Sequence, residues 1–363
     1  MELRQKDAFH GSDLEKVEAV YGLKKEEIRQ FASNVNPLGP PPSLLTALAD
    51  SLGAVATYPD RDYRGLREAI ASYAGTVPED VVPGNGTSDL ISLFIQLKAP
   101  KKALIVGPTY SEYARAVELA GGQVAWFPLR EEEEFRLDLP SLLRKISDRL
   151  DLLVLCNPNN PTGTVVSRED LRQVLNACME HGLFVLVDET YMEFAEDVAR
   201  ATAIPLARYY DNLLVLRGTS KFFAAPGLRL GYGITGNKDL RERLLSRETP
   251  WAVHSLADAA APAMFRDRAY QEETRELISR ERERLFARFS SSSRFRPFPP
   301  GANFMLLKIL EPGLTAGDLF DRCMRQGRMI RDCGTFPFLS DRFLRFCFLQ
   351  PEENDRLAEL LES

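Results

Sequence analysis

From about residue 65 the chain alternates helical patterns with short, unbroken apolar runs: KALIVG (102–107), DLLVLCN (151–157), LFVLVDE (183–189), NLLVLRG (212–218) and LRLGYGI (228–234). Runs this short, continuous and rich in β-branched residues predict strands buried on both faces. Between two of them, SREDLRQVLNACMEHG predicts a helix that Ser167 caps and Gly182 ends, with Leu171, Val174, Leu175, Cys178 and Met179 along one face. Strands alternating with helices imply an α/β protein whose mainly parallel sheet carries helices on both faces. The pattern changes after about residue 255. A long charged helix, YQEETRELISRERERLFARFS, is followed by FRPFPPGANFMLLKIL and a final strand-like FLRFCFL, which predicts a smaller α+β domain. The first 45 residues end in the punctuated NPLGPPPS and are expected to pack with it. The expected division is a large domain, 46–255, and a discontinuous small one, 1–45 with 256–363.

Composition narrows the class of protein without changing this outline. At 363 residues the chain is long enough for two domains. With 44% hydrophobic and 27% charged residues it is neither disordered nor fibrous. A net charge of −6 and the lack of a basic block argue against nucleic acid as a partner. The start, MELRQKDAFHGSDLEK, is polar, and no apolar run approaches the ~20 residues a bilayer needs, so a cytoplasmic protein with no membrane partner is expected. Five cysteines, widely spaced and without a C-x-x-C pair, support neither a disulfide framework nor a structural zinc site. They are expected to be reduced and buried, and no metal is expected.

Ligands of open α/β sheets collect where strands end, so the polar residues that close these runs carry the chemical interest. VLCNPNNPTG places Asn157, Asn159 and Asn160 directly after one strand. The next ends in Asp188-Glu189-Thr190-Tyr191, a carboxylate that needs a cationic partner if buried. The following one leads to Gly218-Thr219-Ser220-Lys221 and then PGLRLGY with Arg229. Upstream, PGNGTSDLISLFIQL reads as a glycine turn opening a helix with Thr87 and Ser88 at its start. Free N–H groups, hydroxyls and the helix dipole make an anion site there. It matches neither a Walker motif nor G-x-G-x-x-G. An anion cradle, a lysine amine, a carboxylate, an Asn/Tyr pair and an arginine together suit pyridoxal phosphate, which needs a Schiff-base lysine, a carboxylate for its ring nitrogen and donors for its phosphate.

The segments ASNVNPLGPPPS, TYPDRDYRGLREAI, GNGTSDLI, GPTYSEYARA, CNPNNPTG, DETYMEF and SKFFAAPGLRLGY, in that order, resemble the fold-type I pyridoxal-phosphate enzymes of the class I/II aminotransferase superfamily. They are most similar to the branch holding histidinol-phosphate aminotransferase and the L-threonine O-3-phosphate decarboxylase of cobalamin synthesis. The resemblance implies that Lys221 carries pyridoxal 5′-phosphate as a Schiff base and then serves as proton shuttle. Asp188 would pair with the ring nitrogen, Asn160 and Tyr191 would bond the phenolic oxygen, and Tyr110 would stack on the ring. Gly86, Thr87, Ser88, Ser220 and Arg229 would hold the phosphate. Tyr58 would reach the phosphate of a neighbouring subunit, implying a homodimer with composite sites. One departure is Gly218, where the family usually has Ser or Thr; Thr219 or water is left to supply that contact.

The resemblance also favours one activity. FHGSDLEKVEAVYGLKKEEIRQFASNVNPLG, PWAVHSLA, MIRDCGTFP and SDRFLRFCF look closer to the decarboxylase, with histidinol-phosphate aminotransferase as the alternative. By this match Arg345 would bind the substrate carboxylate, and Arg331 and His10 the phosphate of a phosphorylated amino substrate.

Overall fold

The computed structural model describes residues 13–363, so His10 lies outside the described residues. Among the described residues, the central sheet has seven strands: β1 (Val81–Gly84), β2 (Lys102–Gly107), β3 (Gln123–Pro128), β4 (Leu152–Cys156), β5 (Phe184–Asp188), β6 (Leu213–Gly218) and β7 (Gly231–Ile234). Their spatial order is β1-β7-β6-β5-β4-β2-β3. All neighbours from β3 to β6 are parallel, whereas β7 runs antiparallel to both β6 and β1.

Successive residues of the inner strands point to opposite faces, and both faces are dry. Ile105, Val154, Leu186 and Leu214 pack with Leu90, Ile91 and Phe94 of helix α1 (Thr87–Lys98). Leu104, Leu153, Val185 and Val215 pack on the other side with Leu171, Val174 and Leu175 of helix α2 (Arg168–Glu180). The expected α/β class with helices on both faces is therefore what the chain forms. The Ser167 side chain accepts a hydrogen bond from the Asp170 N–H, the cap read from the sequence. Met179 departs from expectation: it is 52% exposed, because the apolar stripe of α2 ends at Cys178.

Strands β1 and β3 are additions to the sequence-based outline, and both are edge strands. VVPG carries a proline, tolerated on an edge but atypical of a strand, and β3, though apolar without a break over 124–127, is only partly buried. The run at 228–234 shortens to Gly231–Ile234, because Pro226–Leu228 forms a turn of 3-10 helix before it.

A second, antiparallel sheet follows the long helix α3 (Arg268–Ser290). It comprises β8 (Phe295–Pro297), β9 (Phe304–Ile309), β10 (Arg331–Asp332) and β11 (Phe343–Cys347), in the order β10-β11-β9-β8. The N-terminal segment joins it: Arg29–Gln30 pairs in parallel with Arg328–Met329, and the Phe31 carbonyl accepts the Cys347 N–H at 2.8 Å. All five cysteines are buried and free. Among the described residues, no helix is long and apolar enough to cross a membrane.

The start of α1 rests directly on β7. A Cβ built on Gly231 would stand 2.6 Å from both the Gly86 carbonyl carbon and the Thr87 nitrogen, and backbone there has no room to retreat. Gly231→Ala is expected to lift the first turn of α1 and destabilise the protein by about 1–3 kcal/mol, read by denaturant titration. An unchanged midpoint would mean that this contact is not tight.

Candidate active site

Strands β4, β5 and β6 are parallel neighbours, so their carboxyl ends lie side by side. The loops leaving them share one cavity of about 260 Å³ with the start of α1 and with the second sheet. This cavity is lined by Gly86, Thr87, Ser88, Tyr110, Asn160, Asp188, Tyr191, Ser220, Lys221, Arg229, Arg331 and Arg345. Residues separated by more than 250 positions in the chain thus meet as the motifs suggested. Tyr58 is not among them. It is 75% exposed and stacks on Trp251, ring centroids 4.2 Å apart.

Asp188 sits at the last position of β5, buried, and accepts three hydrogen bonds: Tyr113 Oη at 2.7 Å, Thr190 N at 2.9 Å and Thr190 Oγ1 at 2.5 Å. Burial raises its pKa, and these donors oppose the rise. The cation that such a carboxylate calls for is supplied next door instead. Arg217 Nε and Nη2 both donate to Glu189 Oε2, at 3.0 and 2.8 Å. No ion pair to Asp188 is found among the described residues, which leaves it fitted to a cationic ring nitrogen brought by a ligand. Tyr113 is a site residue that sequence reasoning missed. It lies three residues after Tyr110, with the two rings edge to face at 5.6 Å.

Lys221 follows β6 and donates from Nζ to the Ser33 carbonyl at 2.7 Å. Burial of the amine, reinforced by the nearby Arg345 guanidinium, pushes its pKa down to about 8. A neutral amine near physiological pH is what Schiff-base chemistry requires. Tyr191 is buried, its hydroxyl accepting from Asn34 Nδ2 at 3.3 Å, and burial raises its pKa.

The anion cradle is built from the start of α1. Gly86 occupies the N-cap at φ 88° with no side-chain cap, so the first-turn N–H groups are open to a ligand. Arg229 leans over it. A Cβ on Gly86 would lie 2.7 Å from Arg229 Nη2. The Gly218 departure has a steric reason: a Cβ there would press on Thr87 Cγ2 at 3.0 Å. Of the two expected substitutes for the missing hydroxyl contact, Thr219 and water, Thr219 is turned away from the cavity. It is fully buried, donates to the Leu230 carbonyl at 3.1 Å and does not line the cavity.

The opposite wall comes from the second sheet. Arg345 on β11 and Arg331 on β10 are cross-strand partners. Arg345 is 5% exposed, donates to Asn160 Oδ1 and to the Ala32 carbonyl at 2.7 Å, and its Nε has no partner among the described residues. Arg331 donates to Thr335 Oγ1 at 3.1 Å and lies 5.4 Å from the centre of the Phe336 ring.

A helix start for phosphate, a buried lysine amine and an unneutralised strand-end carboxylate define a pyridoxal-phosphate site on an α/β sheet. The family model for aminotransferase class I and II matches residues 26–361, and the chain belongs to that family. It is a pyridoxal 5′-phosphate-dependent enzyme of the aminotransferase superfamily, and the residues present fit that cofactor. A protein of Caldanaerobacter subterraneus subsp. tengcongensis provisionally named threonine-phosphate decarboxylase is 39% identical over 91% of this chain and 88% of its own length. Threonine-phosphate decarboxylase of Salmonella typhimurium is 31% identical over 98% of this chain and 96% of its own. Among solved structures, the histidinol-phosphate aminotransferase from Clostridium acetobutylicum superimposes with a TM-score of 0.85 at 32% identity, covering 91% of this chain and 97% of that one.

The Lys221 amine has a measurable consequence in cofactor-free protein. It titrates near 8 in the folded chain against 10.5 when unperturbed. Between those values the unfolded chain binds more protons, so stability rises with pH across that window. Thermal unfolding of cofactor-free protein should show this rise, and Lys221→Met should remove it. A Met variant with the same pH slope as wild type would assign the effect to another group.

Proposed function

We propose that the protein is an L-threonine O-3-phosphate decarboxylase. The observation that carries this reading is the charge lining the cavity: Lys221, Arg229, Arg331 and Arg345 against one carboxylate, Asp188. Burial lowers the Arg331 pKa, and the neighbouring Arg345 guanidinium lowers it as well. Such a wall calls for a ligand with several anionic groups. Threonine phosphate offers two, a carboxylate for Arg345 and a phosphate for Arg331 and for His10, which lies outside the described residues. Histidinol phosphate presents no carboxylate to Arg345. The two relatives named for the decarboxylase support the same choice.

When bound, the cofactor supplies an electron sink conjugated with the substrate amine. Gly86, Thr87, Ser88, Ser220 and Arg229 would hold its phosphate, Tyr110 would cover its ring, and Asn160 and Tyr191 would bond its phenolic oxygen. Asp188, fixed by Tyr113 and Thr190, keeps the ring-nitrogen proton in place. Lys221 would hold the cofactor when no substrate is bound, and its Nζ would hold a proton within reach of the substrate Cα. Arg345 orients the carboxylate so that the bond to it, rather than the Cα–H bond, is the one that breaks. The same reading keeps a cofactor-binding body at 46–255, with 1–45 and 256–363 forming the wall that grips the substrate.

Supplied with threonine phosphate alone, the enzyme should release carbon dioxide without any keto acid. Unphosphorylated threonine should be a poor substrate, since each lost charge-assisted hydrogen bond removes about 1.5–3 kcal/mol. Arg331→Ala should mainly raise KM, whereas Arg345→Ala should lower kcat as well. Glutamate formed from 2-oxoglutarate and histidinol phosphate, with no carbon dioxide from threonine phosphate, would replace this reading with an aminotransferase.

The exposed Tyr58 suits the further proposal of a homodimer in which it reaches the partner's cofactor phosphate. Mixing Tyr58→Phe and Lys221→Ala subunits, each inactive alone, should restore part of the activity as native sites reassemble. Verified subunit exchange without recovery would place each site within one chain.

A further inference from the structure

The segment ASNVN, residues 32–36, has no assigned role in the chemistry above, yet it touches most of the site. The Ala32 carbonyl accepts from Arg345 Nη2 at 2.7 Å, and the Ser33 carbonyl from Lys221 Nζ at 2.7 Å. Asn34 donates from Nδ2 to Tyr191 Oη at 3.3 Å, and its own carbonyl accepts from Asn303 Nδ2 at 2.9 Å. The Asn36 N–H then donates to the Lys221 carbonyl at 3.0 Å, while the Asn36 side chain donates to the Phe222 carbonyl at 2.8 Å. One end of the segment is thus fastened to β11, where Cys347 meets Phe31, and the other to the loop that carries the lysine.

Asn34 lies between the Ser33 carbonyl, which meets the lysine amine, and Asn36, which is anchored to the lysine's own backbone. It is fully buried and adopts φ 55°, a left-handed conformation that Asn tolerates far better than most side chains. Rotation at its N–Cα bond sets the direction of the Ser33 carbonyl relative to the chain that follows.

We propose that residues 32–36 form a strap that positions the Lys221 amine against Arg345, and that Asn34 is the positioning residue that sets it. The Ser33 carbonyl gives the amine a fixed resting place whenever it is not bonded to cofactor, with one N–H engaged and the nitrogen held at the cavity wall. The Ala32 carbonyl holds the arginine from the adjacent residue, so the proton donor and the carboxylate anchor are tied to one short piece of backbone. The charged or titratable groups facing the amine are Arg345, which disfavours its protonation, and Cys347, which favours it. This inference rests on the proposed roles of Lys221 and Arg345.

Two substitutions separate backbone conformation from side chain. Asn34→Gly retains access to positive φ, whereas Asn34→Val, β-branched, strongly resists it. The first measurement uses cofactor-free protein: competitive acylation of Lys221 with acetic anhydride across pH, quantified by peptide mass spectrometry. Wild type should titrate near 8. In Asn34→Val the displaced strap admits water, and because burial is the main cause of the depressed value the midpoint should rise by about one pH unit or more. Asn34→Gly should stay close to wild type.

The second measurement is kinetic. Asn34→Val should lower kcat on the order of tenfold or more while still loading cofactor, and Asn34→Gly should fall far less. Should the Val variant not fold, Asn34→Ala gives the same comparison in milder form. An Asn34→Val protein with a wild-type Lys221 midpoint and kcat overturns the proposal, as does a Gly variant impaired as severely as the Val one. A shifted midpoint in a protein that releases no carbon dioxide from threonine phosphate supports the strap and refutes the decarboxylase reading.

Discussion

Burying the Asp188 carboxylate at the end of β5 costs free energy that three hydrogen bonds from Tyr113 and Thr190 offset only in part, since none of them brings a positive charge. Its sequence neighbour Glu189 shows the alternative. There a guanidinium, Arg217, closes on one carboxylate oxygen, while the other accepts the Ala203 N–H at 2.5 Å, and the group is a settled part of the scaffold. Two adjacent acids on one strand end therefore have opposite fates. Glu189 ties β5 to β6 through a charge pair, and Asp188 is held by neutral donors alone.

The opposite imbalance holds across the cavity. Three arginines and a lysine line the cavity with one carboxylate among them, and Arg345 disfavours the charged forms of both Lys221 and Arg331. Two of these cations are held in place by neutral acceptors: Arg345 rests on the Ala32 carbonyl and Asn160, Lys221 on the Ser33 carbonyl. Neutral acceptors fix position without satisfying charge. That keeps the electrostatic attraction available for phosphate and carboxylate groups in a site where low dielectric strengthens it.

Both imbalances meet because the scaffold brings two sheets to one edge. Parallel β4, β5 and β6 collect their loops at the same end, the tight glycine contact under α1 sets the anion cradle beside them, and β10 and β11 close the space from the far side. The strap at 32–36 links these halves through the lysine and the arginine. Asn34, fully buried, takes a left-handed backbone in the middle of it.

The inner strands, the Ser167-capped helix and the chemistry at each strand end were legible from the sequence, because burial on both faces leaves continuous apolar runs and the polar residues that close them stand out locally. Lys221, Asp188, Asn160, Tyr191 and Arg229 all lie beside such runs. The edge strand β1 was masked by its proline, which an edge tolerates, whereas the run at 124–127 that forms β3 is as apolar as the others and was passed over. The antiparallel direction of β7, the partnership of Tyr113 with Asp188 and the contact of Ser33 with Lys221 across 188 residues were not legible. Local pattern reports what environment a residue prefers. Which distant residue supplies that environment is decided by sheet order and by backbone turns such as Asn34, and these exist only once the chain has folded.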